Sequence, residues 1–272
     1  MTAVARPISG NQLDKLGRRL AEPGPISDND YELLSRVADA YQAMADKVEE
    51  RLRDLGFQAT TRVKTTGTLV DKLRRIPRLS LKNIHDIAGA RIVIDGGRHE
   101  QDQAVERIMR AFGSCPRQPE RIDRRETPSH GYRAVHVIVY EDSTPMEIQV
   151  RTKLQDTWAQ ITEKLGDLWG RGLRYGDGPD QPDLDGGLGT SMTRGQVVEA
   201  LKLLADGIAN IENLALQEAR VREELLTLDL TARADLAQTL DQLKERLATH
   251  RVNLQAALDR LLSAIIALGG GS

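Results

Sequence analysis

The stretch Pro145 to Thr152 reads P-M-E-I-Q-V-R-T. Side chains alternate across a strand, so Glu147, Gln149 and Arg151 point one way and Met146, Ile148 and Val150 the other. A carboxylate, an amide and a guanidinium then share one surface above an apolar underside. A solvated sheet face gives the same alternation, so this stretch alone predicts a strand and leaves its use open. Just upstream, 132 to 140 carries a second strand pattern, and the short connection from Tyr140 to Glu147 predicts an antiparallel hairpin within a mixed sheet. A helix over 153 to 169 follows. Further upstream lie strand patterns at 57 to 63, Ala88 to Asp95 and 119 to 124. Helices are expected from about Thr66 to before Pro77 and over about 101 to 112. A longer helix begins at Ser27 or Asp28, repeats Leu34, Val37, Tyr41, Met44, Val48, Leu52 and Leu55 at helical spacing, and stops at Gly56.

The chain has 272 residues, enough for one sizeable domain and an appendage. Its net charge is −2 with 29% charged residues, so any basic site must be local rather than global. A single cysteine, Cys115, excludes an internal disulfide and a cysteine-rich metal cage, and suits a reducing cytoplasm. The N-terminal M-T-A-V-A-R-P-I-S-G lacks the apolar core of a signal peptide. No apolar run is expected to span a bilayer, so no membrane is expected as a partner.

Residues 1–26 read as a polar lead ending in Pro23, Gly24 and Pro25, and 27–180 as an α/β (α+β) domain with a mixed sheet flanked by helices. A Gly-, Pro- and Asp-rich linker is expected over 181–195. Beyond it, Val198, Leu201, Ala205, Ile208 and Leu214 predict one helix. After a break at Leu228 to Thr231, Leu236, Leu240, Leu243, Leu247, Leu254, Leu258, Leu261 and Ile265 repeat near heptad spacing. A C-terminal antiparallel hairpin over 196–268 is expected, with His250 in its seam where leucine is missing. Its plain roles are packing on the α/β domain or homo-oligomerisation. Residues 269–272 read as an appended linker.

Three further segments carry chemistry. R-V-K-T-T-G-T-L-V-D-K, from Arg62 to Lys72, puts Arg62 and Lys64 on one strand face and Thr68 and Lys72 on one helix face. Gly67 and the helix start leave room and free N–H groups for an anion. These cations converge on what would be a polyphosphate; a solvated basic helix, extended by Arg74, Arg75 and Arg78, is the plain alternative. Asp86, at the edge of the strand 88 to 95, is placed as a carboxylate ligand for Mg²⁺ in phosphoryl transfer is placed, and Glu147 would complete a pair. His85 and Asp86 also spell an H-D dipeptide, but no earlier histidine exists to build the metal hydrolase site of that signature. P-S-H-G-Y-R-A-V-H, from Pro128 to His136, opens a turn onto a strand whose Tyr132, Ala134 and His136 share a face, offering an aromatic platform for a base. A core tyrosine and a structural histidine fit the same letters.

The ordered motifs R-x-K-x-x-x-T-x-x-x-K, D-I-A-G-x-R-I-V, G-Y-R-A-V-H and E-I-Q-V-R-T resemble the synthetase domain of the RelA/SpoT alarmone synthetases over roughly residues 30 to 175. The resemblance implies a nucleotidyltransferase-like fold and an ATP-dependent 3′-pyrophosphokinase. By position it implies Arg62, Lys64, Thr68 and Lys72 at ATP, and Asp86 and Glu147 at Mg²⁺. Glu147 would orient or deprotonate the acceptor hydroxyl with support from Gln149, and Tyr132 would stack on the acceptor base with His136 nearby. Two departures stand out. The segment Arg121 to Gly131 has no lysine to grip a diphosphate, leaving Arg124 and Arg125 as substitutes, and Thr162, Glu163 and Lys164 replace a histidine of many small synthetases. Both look more like the toxic small alarmone synthetases. The acceptor implied is then a tRNA 3′ end, with GDP or GTP as the alternative. Arg171 and Arg174 would also meet tRNA, and an antitoxin or regulatory protein would be a partner. A catalytically inactive nucleotide-binding module whose hairpin carries the biology is the reading from a different class.

Overall fold

The structure, a computed structural model, describes residues 8–115, 117–141, 144–188, 191–225 and 230–270, without the side chains of Arg174 and 230–235. Part of the break expected at Leu228 to Thr231, the last two residues of the expected terminal linker and the first residues of the lead lie outside the described residues. The chain forms two compact units.

The first unit holds the described residues of Met1–Val93, Ala104–Ile122 and Val135–Val150. Its centre is a five-stranded mixed sheet ordered β1 (Ala59–Val63), β2 (Ala88–Ile94), β5 (Thr144–Thr152), β4 (Val135–Glu141), β3 (Glu120–Asp123). β1 runs antiparallel to β2 with Arg62 opposite Gly89 and Thr60 opposite Arg91. β4 runs antiparallel to β5 with His136 opposite Gln149 and Ile138 opposite Glu147, as the hairpin reading requires. Met146, Ile148 and Val150 are fully buried, confirming the apolar underside of β5.

The helix expected at Ser27 is α2 (Asp28–Asp54): the Ser27 hydroxyl accepts from the Asp30 amide, and Gly56 beyond its end has φ +78. Arg51 fastens α2 to the sheet. It donates to Glu141 at 3.0 Å and to the Ala111 carbonyl at 2.6 Å, and its guanidinium lies 4.1 Å from the Phe112 ring centroid. α3 (Thr66–Arg75) is capped by Thr65. Within the residues read as a polar lead the chain forms α1 (Gly10–Ala21). Ser9 and Gln12 make a reciprocal capping box, and Leu13, Leu16 and Leu20 are buried, so the segment has both a start signal and an apolar face. Arg74 of α3 donates to the carbonyls of Leu20, Glu22 and Gly24 at 3.2, 3.0 and 2.9 Å and closes the end of α1.

The second unit holds the described residues of Ile94–Gln103, Asp123–Ala134 and Arg151–Ser272. Its core is α5 (Lys153–Trp169) packed with α6 (Arg194–Leu225) and α7 (Leu230–Gly269) through Leu154, Trp158, Ile161, Leu165, Leu201 and Leu258. α4 (Arg98–Phe112) starts in this unit and continues into the first. The expected strand at 132 starts three residues later, at Val135. His130 and Gly131 have φ +53 and +90 and make a turn bridged between Ser129 and Tyr132, which keeps Tyr132 and Ala134 out of the strand ladder. In the helical pair, Leu240, Leu247, Leu258 and Ile265 are buried, but Leu214, Leu236 and Leu243 are 47, 47 and 37% exposed, so only part of the leucine stripe is covered. His250 is exposed, and it lines a shallow cavity with Leu204 and Ile211 of α6 and Leu254 of α7. Leu236–Gly269 is long and apolar enough to cross a membrane by length and composition alone, contrary to the sequence expectation, because its leucines and alanines are interrupted by few charges. Only 11% of its most apolar window is buried.

A Cβ on Gly17 would lie 2.8 Å from Leu81 Cβ and 3.1 Å from the Leu81 amide nitrogen, whereas one on Gly10 of the same helix would meet nothing within 4 Å. Gly17→Ala should therefore destabilise the protein by about 1–3 kcal/mol through overpacking. Gly10→Ala should be neutral or slightly stabilising. Urea denaturation followed by far-ultraviolet circular dichroism distinguishes the two; equal effects would refute close packing of α1.

Candidate active site

Lys64 ends the β1 edge, its amide donating to the Ile87 carbonyl at 2.8 Å. From there its ammonium reaches Asp86, and Lys72 of α3 donates to the other Asp86 oxygen at 2.7 Å. One carboxylate thus collects a lysine from a strand end and one from the following helix. Burial works against charge on Asp86, but Lys64 and Lys72 outweigh it and hold its pKa below the usual carboxylate range. Burial likewise lowers the Lys64 pKa against the pull of Asp86.

Glu147 sits on β5, the strand next to β2. Its Oε1 accepts from Gln149 Nε2 at 2.7 Å, and His136 Nδ1 on β4 stands 3.2 Å from its Oε2. Burial raises its pKa and the negative charge of Asp86 adds to that, yet His136 and Gln149 together bring it below the ordinary value. Two carboxylates that feel each other are therefore both favoured in the ionised form. Sequence reading put His136 beside Tyr132 and missed its contact with Glu147, which only the β4–β5 register creates.

Arg62 and Thr68 are exposed at the rim of this group. Thr65 caps α3 by accepting from the Thr68 amide at 3.4 Å, and Thr68 Oγ1 donates back to the Thr65 carbonyl at 2.8 Å. A Cβ on Gly67 would meet nothing within 4 Å, so the space outside this first turn is open. Beside Thr66 and Gly67 lies a cavity of about 300 Å³, walled by Pro25, Ile26 and Tyr31, which no sequence pattern announced. Arg91 shares the strand face of Arg62 by register and was not singled out from sequence either.

The remaining candidates belong to the second unit. Arg151 continues the polar face of β5 but is 2% exposed, so it lies in the interior. Its Nη1 donates to Asp156 at 3.0 Å, its Nη2 donates to Tyr132 Oη at 3.1 Å, and its guanidinium carbon stands 5.1 Å from the Tyr132 ring centroid. Tyr132 is thereby held from one side while its ring packs on the helical core. Arg125 is also an internal strut: it donates to Asp123 at 2.9 and 2.6 Å, to Asp102 at 2.7 Å and to Gln101 at 3.0 Å. Arg124 is partly exposed and its amide donates to the Ala134 carbonyl at 2.9 Å.

Uncharacterized proteins of Mycobacterium tuberculosis and Mycobacterium bovis are each 33% identical to this chain over 269 residues, covering 97% of it and 93% of their own length. The family described as the region found in RelA / SpoT proteins matches residues 61–166, which contain Lys64, Lys72, Asp86, His136 and Glu147. The chain belongs to the RelA/SpoT family. Solved structures agree on the fold. The small alarmone synthetase 1 from Bacillus subtilis, 18% identical, covers 72% of this chain and 100% of its own with a TM-score of 0.51. The same protein bound to its product pppGpp gives a TM-score of 0.50 at 18% identity, with the same coverage. The RelA/SpoT match begins on β1 and ends within α5, so it spans the whole sheet and stops before the helical pair.

Because Asp86 and Glu147 both have depressed pKa values, each contributes stability that is present above its unfolded pKa of about 4 and is lost as pH falls through the lower folded value. Unfolding free energies measured from about pH 6 down to pH 2 should therefore fall more steeply in the parent than in Asp86→Asn. Parallel slopes would show that Lys64 and Lys72 do not hold this carboxylate.

Proposed function

We propose that the chain is a pyrophosphokinase that transfers the β,γ-pyrophosphate of ATP to a ribose 3′-hydroxyl and releases AMP. The observation that carries this reading is the pair Asp86 and Glu147, held ionised on neighbouring elements beside Lys64 and Lys72. Phosphoryl transfer asks a protein for positioning and charge neutralisation more than for covalent chemistry, and this group supplies both. The acceptor oxygen attacks the β-phosphorus, the bond from that phosphorus to the oxygen of AMP breaks, and the hydroxyl proton passes to the Glu147 carboxylate. Gln149 and His136 hold that carboxylate in place. Lys64 and Lys72 exchange part of their hold on Asp86 for the phosphates, with Thr68 and Arg62 at the rim.

The two carboxylates fit Mg²⁺, a hard cation that is bound through one or two carboxylates and completed by phosphate and water oxygens. Among the described residues no group of three or more His, Cys, Asp or Glu side chains could hold a metal, which accords with an ion that arrives with its nucleotide. Bound there, Mg²⁺ would neutralise charge on the transferred phosphates.

For the acceptor we favour a tRNA 3′ end and a toxic, translation-stopping role in the cytoplasm, because the segment from Arg121 to Gly131 has no lysine for a 5′-diphosphate and Arg125 is occupied internally. Tyr132 would stack on the acceptor base. GDP or GTP is the second reading, supported by the pppGpp product held by the small alarmone synthetase 1 from Bacillus subtilis.

Incubation with γ-labelled ATP and GDP, GTP or bulk tRNA decides between them. Label in tRNA that falls steeply with added salt is expected, since phosphate contacts release counterions. Label in guanine nucleotide alone overturns the tRNA reading, and label in neither overturns the enzyme. Glu147→Gln should lower transfer by about 10²–10⁴-fold while leaving the far-ultraviolet circular dichroism spectrum of the folded protein unchanged. Arg124→Glu is the surface variant to test against tRNA; at Arg125 a glutamate would face Asp102 and Asp123 in the interior and unfold the turn instead.

A further inference from the structure

We infer that a cavity in the second unit, where the first turn of α4 meets α6 and α7, is a binding site for a small amphipathic anion: a carboxylate with an apolar tail. The cavity has a volume of about 410 Å³, within the range of small-ligand sites. Ile211 and Leu216 of α6 and Leu247 of α7 give it an apolar wall. Arg98 is set into that wall with its side chain 12% exposed. Arg98 Nε is buried without a hydrogen-bond partner, and the Glu212 carboxylate stands 3.7 Å away, beyond hydrogen-bond reach.

Glu212 is in no position to close that gap. Its carboxylate, 3% exposed, accepts from Thr152 Oγ1 and, at 2.8 Å, from Gln155 Nε2. Burial weakens the charged form of Arg98, and Arg125 and Arg133 add to the effect while Glu212 and Asp123 oppose it. A guanidinium set in an apolar wall, with an unused donor and only a 3.7 Å ion pair to Glu212, is matched by one anionic head on an apolar body. Lys244, also at the cavity, is exposed and has no carboxylate partner among the described residues, and it joins Arg222 and Arg251 as further cations around the space. A polyanion fits poorly, because Glu100, Glu218 and Glu223 line the same space.

Occupancy has a defined route outward. Thr152 closes β5, the strand of Glu147, and is the N-cap of α5, where it shares a capping box with Gln155. The carboxylate that neighbours Arg98 is thus the one that holds this cap. Arg98 pulls on Glu212 through its charge alone, so an anion that pairs with Arg98 relieves that pull and tightens the hold of Glu212 on Thr152 and Gln155 at the start of α5.

Calorimetric titration of the full chain with octanoate tests the site. One octanoate is expected to bind per chain, at least tenfold more tightly than octanol or octylammonium. Arg98→Met should weaken it at least tenfold, and Ala215→Trp, which fills the cavity, should abolish it. Hydrogen exchange on the parent should show slower exchange in the first turn of α5 with octanoate present. Binding of octanol as tight as octanoate, binding undiminished by Ala215→Trp, or no heat at millimolar octanoate would each overturn the site, and unchanged exchange would overturn its link to α5. Should Arg98→Met fail to fold, Ala215→Trp and the choice among the three probes still decide.

Discussion

Two ammonium groups on one carboxylate set the geometry of the sheet unit's working face. Lys64 comes from the end of β1, Lys72 from the second turn of α3, and Asp86 from the approach to β2, so their meeting fixes how the chain crosses from one strand to the next. Three charges in so small a space are costly to desolvate, and they persist because each carboxylate oxygen has its own donor. The same arrangement lets Glu147 stay ionised on the adjacent strand, since the charge it faces is already compensated. Without the lysines, two neighbouring carboxylates would drive one another toward protonation.

The helical unit relies on buried polar contacts of another kind. Arg125, Gln101, Gln155, Thr152 and Glu212 form a chain of hydrogen bonds through its interior. Trp158 adds a bond from its indole N–H to the Leu201 carbonyl at 2.7 Å, fixing α5 against α6. Such networks specify one packing out of the several that an apolar helix bundle allows, because an alternative packing would strand polar atoms away from water.

Much of this was legible in the letters. The alternation in Pro145 to Thr152, the Ser27 cap with its heptad-like followers and the paired lysines after β1 each rest on local spacing, and local spacing survives folding. The RelA/SpoT resemblance likewise rested on motifs whose members stay close in sequence. α1 was legible too, through Ser9, Gln12 and its leucines, but the nearby Pro23, Gly24 and Pro25 drew the reading toward a lead. What stayed hidden depends on partners far away in the chain. Asp123 and Asp156 lie close enough in sequence to suggest ion pairs for Arg125 and Arg151, but that each would be spent inside the protein follows also from Asp102 on α4 and from Tyr132 in a distant turn. His136 could be placed on a strand but not against Glu147 without the register. Along α7 the leucine repeat does not reveal which leucines are covered, since coverage is decided by the curvature and reach of its neighbours.

The chain has two tryptophans, Trp158 and Trp169, and both lie buried in the helical core of the second unit. Intrinsic indole emission is therefore a reporter of that unit alone. Loosening of the sheet unit, with its lysine-clamped carboxylate, would pass unseen in a fluorescence melt and show only in probes of backbone or tyrosine. A coincidence of the two signals would mean that the units unfold together; a gap between them would separate the stability of the sheet unit from that of the helical unit.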